Sequence, residues 1–223
     1  VGGGGGTILP SEIQHLLESD IAKIYSPEDG RKLGLTGMVS DAILRASKNN
    51  LLDPKRFQKL NGPITADNQG AVAKLLTLAE NADEKTFNET LNIIRSNDDL
   101  NCPVVGLTGT GGAGKSSLTD ELMLRIQRDN PGTKIALLAT DPTRKRTGGA
   151  LLGDRIRMNS LSDDNLFMRS FASRDSGREI ADCIGRSIEV CKAVGFDIII
   201  VETSGIGQGN DAITEVADIS LYI

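Results

Sequence analysis

Long apolar runs are missing from this 223-residue sequence, and none approaches the roughly 20 residues that cross a bilayer, so a membrane-spanning helix is excluded and no membrane partner is expected. A basic surplus is missing as well. Lysine and arginine number 25 against 30 acidic residues, and the formal net charge of −5 argues against nucleic acid as the main partner. Cysteine is scarce: Cys102, Cys183 and Cys191 show no C-x-x-C or metal-ligand spacing, and an odd number cannot all pair internally. Reduced thiols in a cytoplasmic protein are the simplest reading. No secretory signal pattern opens the chain. Histidine is down to one, His15, and with nothing beside it to complete a metal site it reads as a solvent-facing helix residue. Aromatic residues make up 3% and tryptophan is absent, while the hydrophobic content of 39% is ordinary and supplies one good core, or one and a half, at this length. The first residue is Val1, and Ile219–Ile223 at the other end reads as a strand; both ends are expected to be cut from something longer.

What is present falls into three segments. Residues 1–46 open with the glycines Gly2–Gly6. Pro10-Ser11-Glu12-Ile13-Gln14 then has the spacing of a helix start, with Ser11 as cap, Gln14 as its reciprocal partner, and Ile13, Leu16 and Leu17 as the apolar face. Ile21–Tyr25 alternates like a short strand, Ser26–Gly30 reads as a turn, and a second helix is predicted over about Leu33–Ala46. Glycine loop, helix, strand, helix is the order found at the end of an α/β sheet domain. Residues 47–101 read as a helical connector. Asp53-Pro54 and Asn61-Gly62-Pro63 break it, and two amphipathic helices follow, one burying Val72, Leu75, Leu76 and Ala79, the other Phe87, Leu91 and Ile94. Their simplest role is packing against a neighbouring domain. Residues 102–223 alternate strand and helix. Strands are predicted at Val104–Thr108, Lys134–Ala139, Leu166–Phe171 and Phe196–Val201, with helices at Ser116–Arg128 and Glu179–Ala193. Near-continuous apolar strands alternating with helices imply a parallel sheet covered on both faces.

The chemistry concentrates after the first of these strands. Gly109-Thr110-Gly111-Gly112-Ala113-Gly114-Lys115-Ser116 satisfies G-x-x-x-x-G-K-[ST], the phosphate loop. Glycines let the backbone turn so that successive N–H groups face phosphate oxygens, and the helix that follows adds its positive N-terminal end. Lys115 is then the cation for the β- and γ-phosphates and a candidate catalytic residue; Ser116 supplies a hydroxyl to Mg²⁺, and Ser117 lies beside it among the nucleotide-binding candidates. Gly109, Gly111 and Gly114 also fit the dinucleotide pattern G-x-G-x-x-G, with Asp141 as ribose-binding acid. Three facts weigh against that rival. Lys-Ser follows the last glycine, where a dinucleotide site wants an uncharged helix start. Asp141 stands 27 residues past Gly114, beyond the usual spacing of roughly 20. A second nucleotide-type motif also lies downstream.

That motif is Ile198-Ile199-Ile200-Val201-Glu202-Thr203-Ser204-Gly205, a buried strand delivering an acid to the carboxyl edge of the sheet, where open α/β sheets bind ligands. Glu202 is the second candidate catalytic residue, within reach of Mg²⁺ or its waters, and Gly205 could offer its N–H to a γ-phosphate. As a bare strand-end acid Glu202 could equally cap the next helix; the upstream phosphate loop favours the metal role. Asp141 ends another strand and brings a second carboxylate to the same edge. After it comes Thr143-Arg144-Lys145-Arg146-Thr147-Gly148-Gly149, a basic glycine-containing loop that is either a mobile switch beside the triphosphate or a solvated surface loop.

The set Gly109–Ser116, Asp141-Pro142, Thr147-Gly148-Gly149, Gly153-Asp154-Arg155-Ile156-Arg157-Met158 and Glu202-Thr203-Ser204-Gly205-Ile206-Gly207-Gln208 resembles the GTPase chaperones of adenosylcobalamin-dependent acyl-CoA mutases. Gly5-Gly6-Thr7-Ile8-Leu9-Pro10, with the helix and strand after it, resembles the end of a flavodoxin-like cobalamin-binding domain. The two pieces in this order are similar to fused mutases, in which a cobalamin domain, a GTPase domain and a mutase barrel share one chain. The resemblance implies a P-loop NTPase sheet over residues 102–223, preceded by the linker and by the cobalamin-domain remnant. It implies that Ser116, Asp141, Asp154, Glu202 and Thr203 surround Mg²⁺, that Arg157 touches the nucleotide, and that Gly5 and Gly6 line the pocket for the cobalamin tail. It further implies GTP as substrate and gating of adenosylcobalamin delivery by GTP hydrolysis. The partner would be a mutase in the same parent chain or a separate one, and the parent a homodimer interconverting isobutyryl-CoA and butyryl-CoA.

Two family motifs do not occur here: D-x-H-x-x-G, which supplies the cobalt-ligating histidine, and N-K-x-D, which reads guanine. Guanine specificity and mutase activity are therefore expectations about a parent. A stand-alone chaperone GTPase and another P-loop ATPase or kinase are the competing readings.

Overall fold

The computed structural model describes residues 2–3, 8–18, 21–47, 52–58, 62–95, 101–142, 158–160, 163–173, 183–203 and 211–223. They form two compact units, residues 1–51 and 52–223.

In the first unit, strand β1 (Gly2–Gly3) pairs in parallel with β2 (Ile24–Tyr25). Helix α1 (Pro10–Leu17) lies between them in sequence, and α2 (Pro27–Ser47) follows. The predicted cap at Ser11 is not the observed one. Leu9 is the N-cap and Pro10 the first helical residue, a position that needs no N–H. The Glu12 carboxylate accepts from the Leu9 N–H at 2.7 Å, which is the carboxylate half of a capping box. Ile13 and Leu16 are half-buried, whereas Leu17 is exposed. The strand is shorter than the predicted Ile21–Tyr25, and the predicted turn at Ser26–Gly30 is a helix start. There the Ser26 hydroxyl accepts from the Asp29 N–H at 3.1 Å, and the Asp29 carboxylate accepts from the Ser26 N–H at 2.9 Å, with Pro27 in the first turn. Two helical segments meet at Gly34, whose φ of 63° and ψ of 175° break the run. Tyr25 donates its hydroxyl to Asp41 at 2.8 Å, and Arg45 donates Nε to the same carboxylate oxygen at 2.8 Å, tying α2 to β2.

The second unit is built on a five-stranded sheet. Its strands are β3 (Val104–Thr108), β4 (Ile135–Pro142), β5 (Leu166–Ser173), β6 (Ile198–Glu202) and β7 (Ile219–Tyr222), in the order β5-β4-β6-β3-β7 and all parallel. Alternation with period two sends neighbouring side chains to opposite faces. Ala136, Leu138, Ile199 and Val201 join one core, and Ile135, Leu137, Leu107 and Ile200 the other. The first core is roofed by α4 (Gln69–Asn81), α5 (Glu84–Ile94) and α7 (Ile184–Ala193), through Val72, Leu75, Leu76, Phe87, Leu91, Ile184 and Ile188. The second is covered by α6 (Lys115–Asp129), through Met123 with Leu122 and Ile126 beside it. Helices thus flank both faces, the arrangement of a P-loop NTPase sheet. The short helices α3 (Lys55–Gln58) and α8 (Asp211–Thr214) complete the described elements. The apolar faces read from residues 69–94 therefore bury themselves in this sheet's core, where Phe57 and Ile64 join them.

Several boundaries differ from the predicted ones. β4 runs on from Ala139 to Pro142 because Asp141 and Pro142 still pair with Ala172 and Ser173, and β5 lengthens with it. β6 begins at Ile198, not Phe196, because the Phe196 N–H is spent on the Cys191 carbonyl and the Asp197 N–H on Lys134. The N-terminal part of the predicted helix Glu179–Ala193, residues 179–182, lies outside the described residues.

Candidate functional site

β3 delivers the phosphate loop at the carboxyl edge of the sheet, and its local sequence explains how. Gly106 in mid-strand has no side chain because a Cβ there would stand 2.4 Å from Ile213 Cγ1 and 3.0 Å from Ala217 Cβ; α8 and the residues after it pack directly on the strand. Gly109 opens the loop at φ 143°, and a Cβ there would lie 2.1 Å from the Ile223 carbonyl oxygen. Gly112 at φ 81° and Gly114 at φ 92° have open space around a virtual Cβ. Their requirement is conformational: left-handed backbone that turns the chain into α6. Gly114 is the N-cap, so Lys115 and Ser116 occupy the first turn of α6.

The loop closes on its own lysine. Lys115 is 7% exposed, and its Nζ donates to the carbonyls of Gly109 and Thr110 at 3.0 Å each. β6 is hydrogen-bonded directly to β3, so Glu202 arrives opposite the start of α6. The Ser116 hydroxyl donates to Glu202 Oε1 at 2.6 Å, a short charge-assisted bond. Thr119 Oγ1 lies 3.2 Å from Glu202 Oε2 and 3.0 Å from the Lys115 carbonyl oxygen. Lys115, Ser116 and Glu202, three of the sequence candidates, are therefore gathered at one place. The Thr203 N–H donates to the Leu107 carbonyl at 3.0 Å, and its hydroxyl lies 3.2 Å from that of Thr108 on the adjacent strand. Thr110, Gly111, Ala113 and Ser117 are exposed along the loop and first helical turn.

Gly5, Gly6, Asp154, Arg157 and Gly205 lie outside the described residues, and Asp141 is described as backbone only, in the last turn of pairing between β4 and β5. Among the described residues no three His, Cys, Asp or Glu side chains group closely enough to hold a metal by themselves. His15 is on the exposed side of α1, with Nδ1 3.9 Å from Glu18, as expected of a solvent-facing residue. Sequence reasoning missed Thr119. Its signal was the spacing 115, 116, 119, which puts three residues on one helical face.

A protein family described as "Methylmalonyl Co-A mutase-associated GTPase MeaB" matches residues 72–223. The chain belongs to the MeaB GTPase family. Relatives extend the match beyond the MeaB region. The fused isobutyryl-CoA mutase of Geobacillus kaustophilus is 48% identical, covering 100% of this chain and 21% of that protein. That of Cupriavidus metallidurans is 46% identical, covering 100% and 20%. A Caenorhabditis elegans protein named methylmalonic aciduria type A homolog, mitochondrial, is 30% identical over 74% of this chain and 45% of its own length. The chain thus spans about a fifth of the fused mutases it matches, and within them it takes in the MeaB region together with the residues before it. No helix among the described residues is long and apolar enough to cross a membrane.

Proposed function

We propose that residues 102–223 bind Mg²⁺ and GTP and hydrolyse the nucleotide, as the G-protein chaperone part of a longer cytoplasmic protein. In this reading residues 1–46 end a cobalamin-binding domain and 47–101 are the linker. Nucleotide hydrolysis gates adenosylcobalamin loading and protection of an acyl-CoA mutase. The parent is a homodimer that interconverts isobutyryl-CoA and butyryl-CoA, by analogy with the relatives named fused isobutyryl-CoA mutase. The carrying observation is the convergence of Lys115, Ser116 and Glu202, with the Ser116 hydroxyl at the start of α6 2.6 Å from the Glu202 carboxylate at the end of β6.

The donor chemistry fits the group it is asked to hold. A hydroxyl and a carboxylate are hard oxygen donors of the kind Mg²⁺ takes beside nucleotide phosphates. When bound, the ion neutralises charge on the β- and γ-phosphates. Lys115 brings a buried ammonium, whose present acceptors are two neutral carbonyls that phosphate oxygens outbid as charged acceptors. The backbone from Gly109 to Gly114 supplies N–H donors and α6 its positive end. Asp141, Asp154, Thr203, Arg157 and Gly205 remain assigned to the metal and nucleotide by the family resemblance, and Gly5 and Gly6 to cobalamin. His15 is not proposed as a cobalt ligand, because the D-x-H-x-x-G pattern does not surround it.

The test is Lys115→Ala in the full-length protein, titrated with a fluorescent GTP analogue and Mg²⁺. Charge-assisted contacts are worth about 1.5–3 kcal/mol, so affinity is expected to fall by roughly one to two decades. Unchanged affinity would remove the phosphate-loop assignment.

A further inference from the structure

We infer that Thr119, which lies outside the phosphate-loop motif, is a positioning residue that fixes the orientation of the Glu202 carboxylate toward the metal–nucleotide. The inference rests on the nucleotide reading given above.

Thr119 is 0% exposed, in the second turn of α6. Burying a hydroxyl costs free energy unless it is used, and a methyl in its place would fill the same volume without that cost. Its oxygen has two neighbours, the Lys115 carbonyl at 3.0 Å and Glu202 Oε2 at 3.2 Å, and one proton to give. The ordinary fate of a mid-helix threonine is to bond back to the carbonyl four residues earlier. Here the competing acceptor is a carboxylate, 7% exposed and so poorly hydrated, and a charge-assisted bond is about twice as strong as a neutral one. The proton therefore goes to Glu202.

The second oxygen of the same carboxylate makes the role specific. Ser116 donates to Oε1 at 2.6 Å, so two hydroxyls from one face of α6 hold the two carboxylate oxygens. Ser116 has a second task, because its oxygen is the loop's donor to the cation. A hydroxyl that gives a lone pair to a cation keeps its O–H to donate, but the direction of that O–H is then set by the cation and not by Oε1 alone. Thr119 has no such task. It keeps Oε2 engaged and leaves Oε1 directed to the side from which Ser116 binds. Partners of this outer kind commonly govern metal affinity about 10–100-fold without touching the metal.

The experiment compares Thr119→Val and Thr119→Ser with the wild type in the full-length protein, titrating Mg²⁺ against single-turnover GTP hydrolysis. Val keeps the volume and removes the hydroxyl; Ser keeps the hydroxyl. Thr119→Val is expected to raise the half-saturating Mg²⁺ concentration about tenfold. Nucleotide affinity in EDTA should stay at the wild-type value, and Thr119→Ser should restore the Mg²⁺ dependence to within about twofold, readings that a packing role would not separate. If Val fails to fold, Thr119→Ala against Thr119→Ser isolates the hydroxyl in the same titration. Wild-type Mg²⁺ dependence in Thr119→Val, or equal behaviour of Ala and Ser, overturns the role of Thr119 alone. A wild-type protein that turns over no GTP overturns the nucleotide reading and this inference with it.

Discussion

Replacing Glu202 with glutamine preserves shape and removes one charge, so it separates what the side chain does for binding from what it does for hydrolysis. Glu202 is 7% exposed and accepts from Ser116 at 2.6 Å. A glutamine can still accept from that hydroxyl through its amide oxygen, while its NH₂ faces Thr119, whose hydroxyl can accept from it and donate to the Lys115 carbonyl. The ground-state loss is then the difference between a charged and a neutral hydrogen bond, about 1–1.5 kcal/mol, or roughly five- to tenfold in affinity for Mg²⁺-GTP. The transition state asks for more, because negative charge redistributes between the γ-phosphoryl group and its leaving oxygen next to the metal. Losing one aimed electrostatic group in such a site costs about 10²–10³-fold in the chemical step. Glu202→Gln is therefore expected to slow single-turnover GTP hydrolysis at least about tenfold more than it weakens binding, since only differential stabilisation changes the rate. Fluorescent-analogue titration gives the first quantity and rapid-quench hydrolysis in the full-length protein the second. Equal losses in both, or no loss in either, would refute the reasoning.

Gly106→Ala is expected to destabilise the fold by about 1–3 kcal/mol, the usual cost of overpacking, because its Cβ would meet Ile213 Cγ1 at 2.4 Å; an unchanged urea midpoint would show that α8 moves aside freely. Burial pushes the Cys102 thiol up to about 11, with Asp197 and Asp218 adding to the shift and Lys192 opposing it. Cys102 should therefore react with iodoacetamide at pH 8.5 about a hundredfold more slowly than an unstructured cysteine, and mass-spectrometric labelling at an ordinary rate would contradict the packing around it. The sign for stability follows from the same shift. Above about pH 9 the unfolded chain releases a thiol proton that the folded chain keeps, so stability should decline as pH rises through that range.

The phosphate loop was legible because its chemistry fixes the residue type at four of eight positions, and Gly109 and Gly114 hold positive φ where the motif demands glycine. The two core faces were legible from period alone: Val72, Leu75, Leu76 and Ala79 are all buried on α4. Their destination was not, because an amphipathic face states that it is covered and not by what. Ser26–Gly30 misled for a different reason. Pro27, Asp29 and Gly30 are turn residues, but Ser26 with Asp29 three positions on is also a capping pattern, and the helix won. At α1 the same logic ran the other way: Ser11 looked like a cap, yet Pro10 suits the first helical position and moves the cap back to Leu9. Thr119 was only half legible: the spacing 115, 116, 119 puts it on one helical face with Lys115 and Ser116, but its role depends on which strand faces α6, and strand order is not written in local sequence.

That strand order also explains why so much depends on one helix. Within six residues α6 engages three separate parts of the unit. Lys115 closes the loop onto the Gly109 and Thr110 carbonyls, and Ser116 and Thr119 hold Glu202 at the end of β6. Asp120, next in sequence and on another face, accepts from the backbone N–H groups of Asn159 and Ser160 at 3.1 and 2.9 Å. Residues 158–160 directly follow Gly153–Arg157 in sequence. A helix tied by hydrogen bonds to carboxylates at both places shifts only if Glu202 and the 159–160 backbone move with it. Met123, 0% exposed under the same helix, resists that shift, since a close-packed core yields in discrete steps and not continuously. The first two turns of α6 thus join the phosphate-loop carbonyls, the acid on β6 and the 159–160 backbone through one helix.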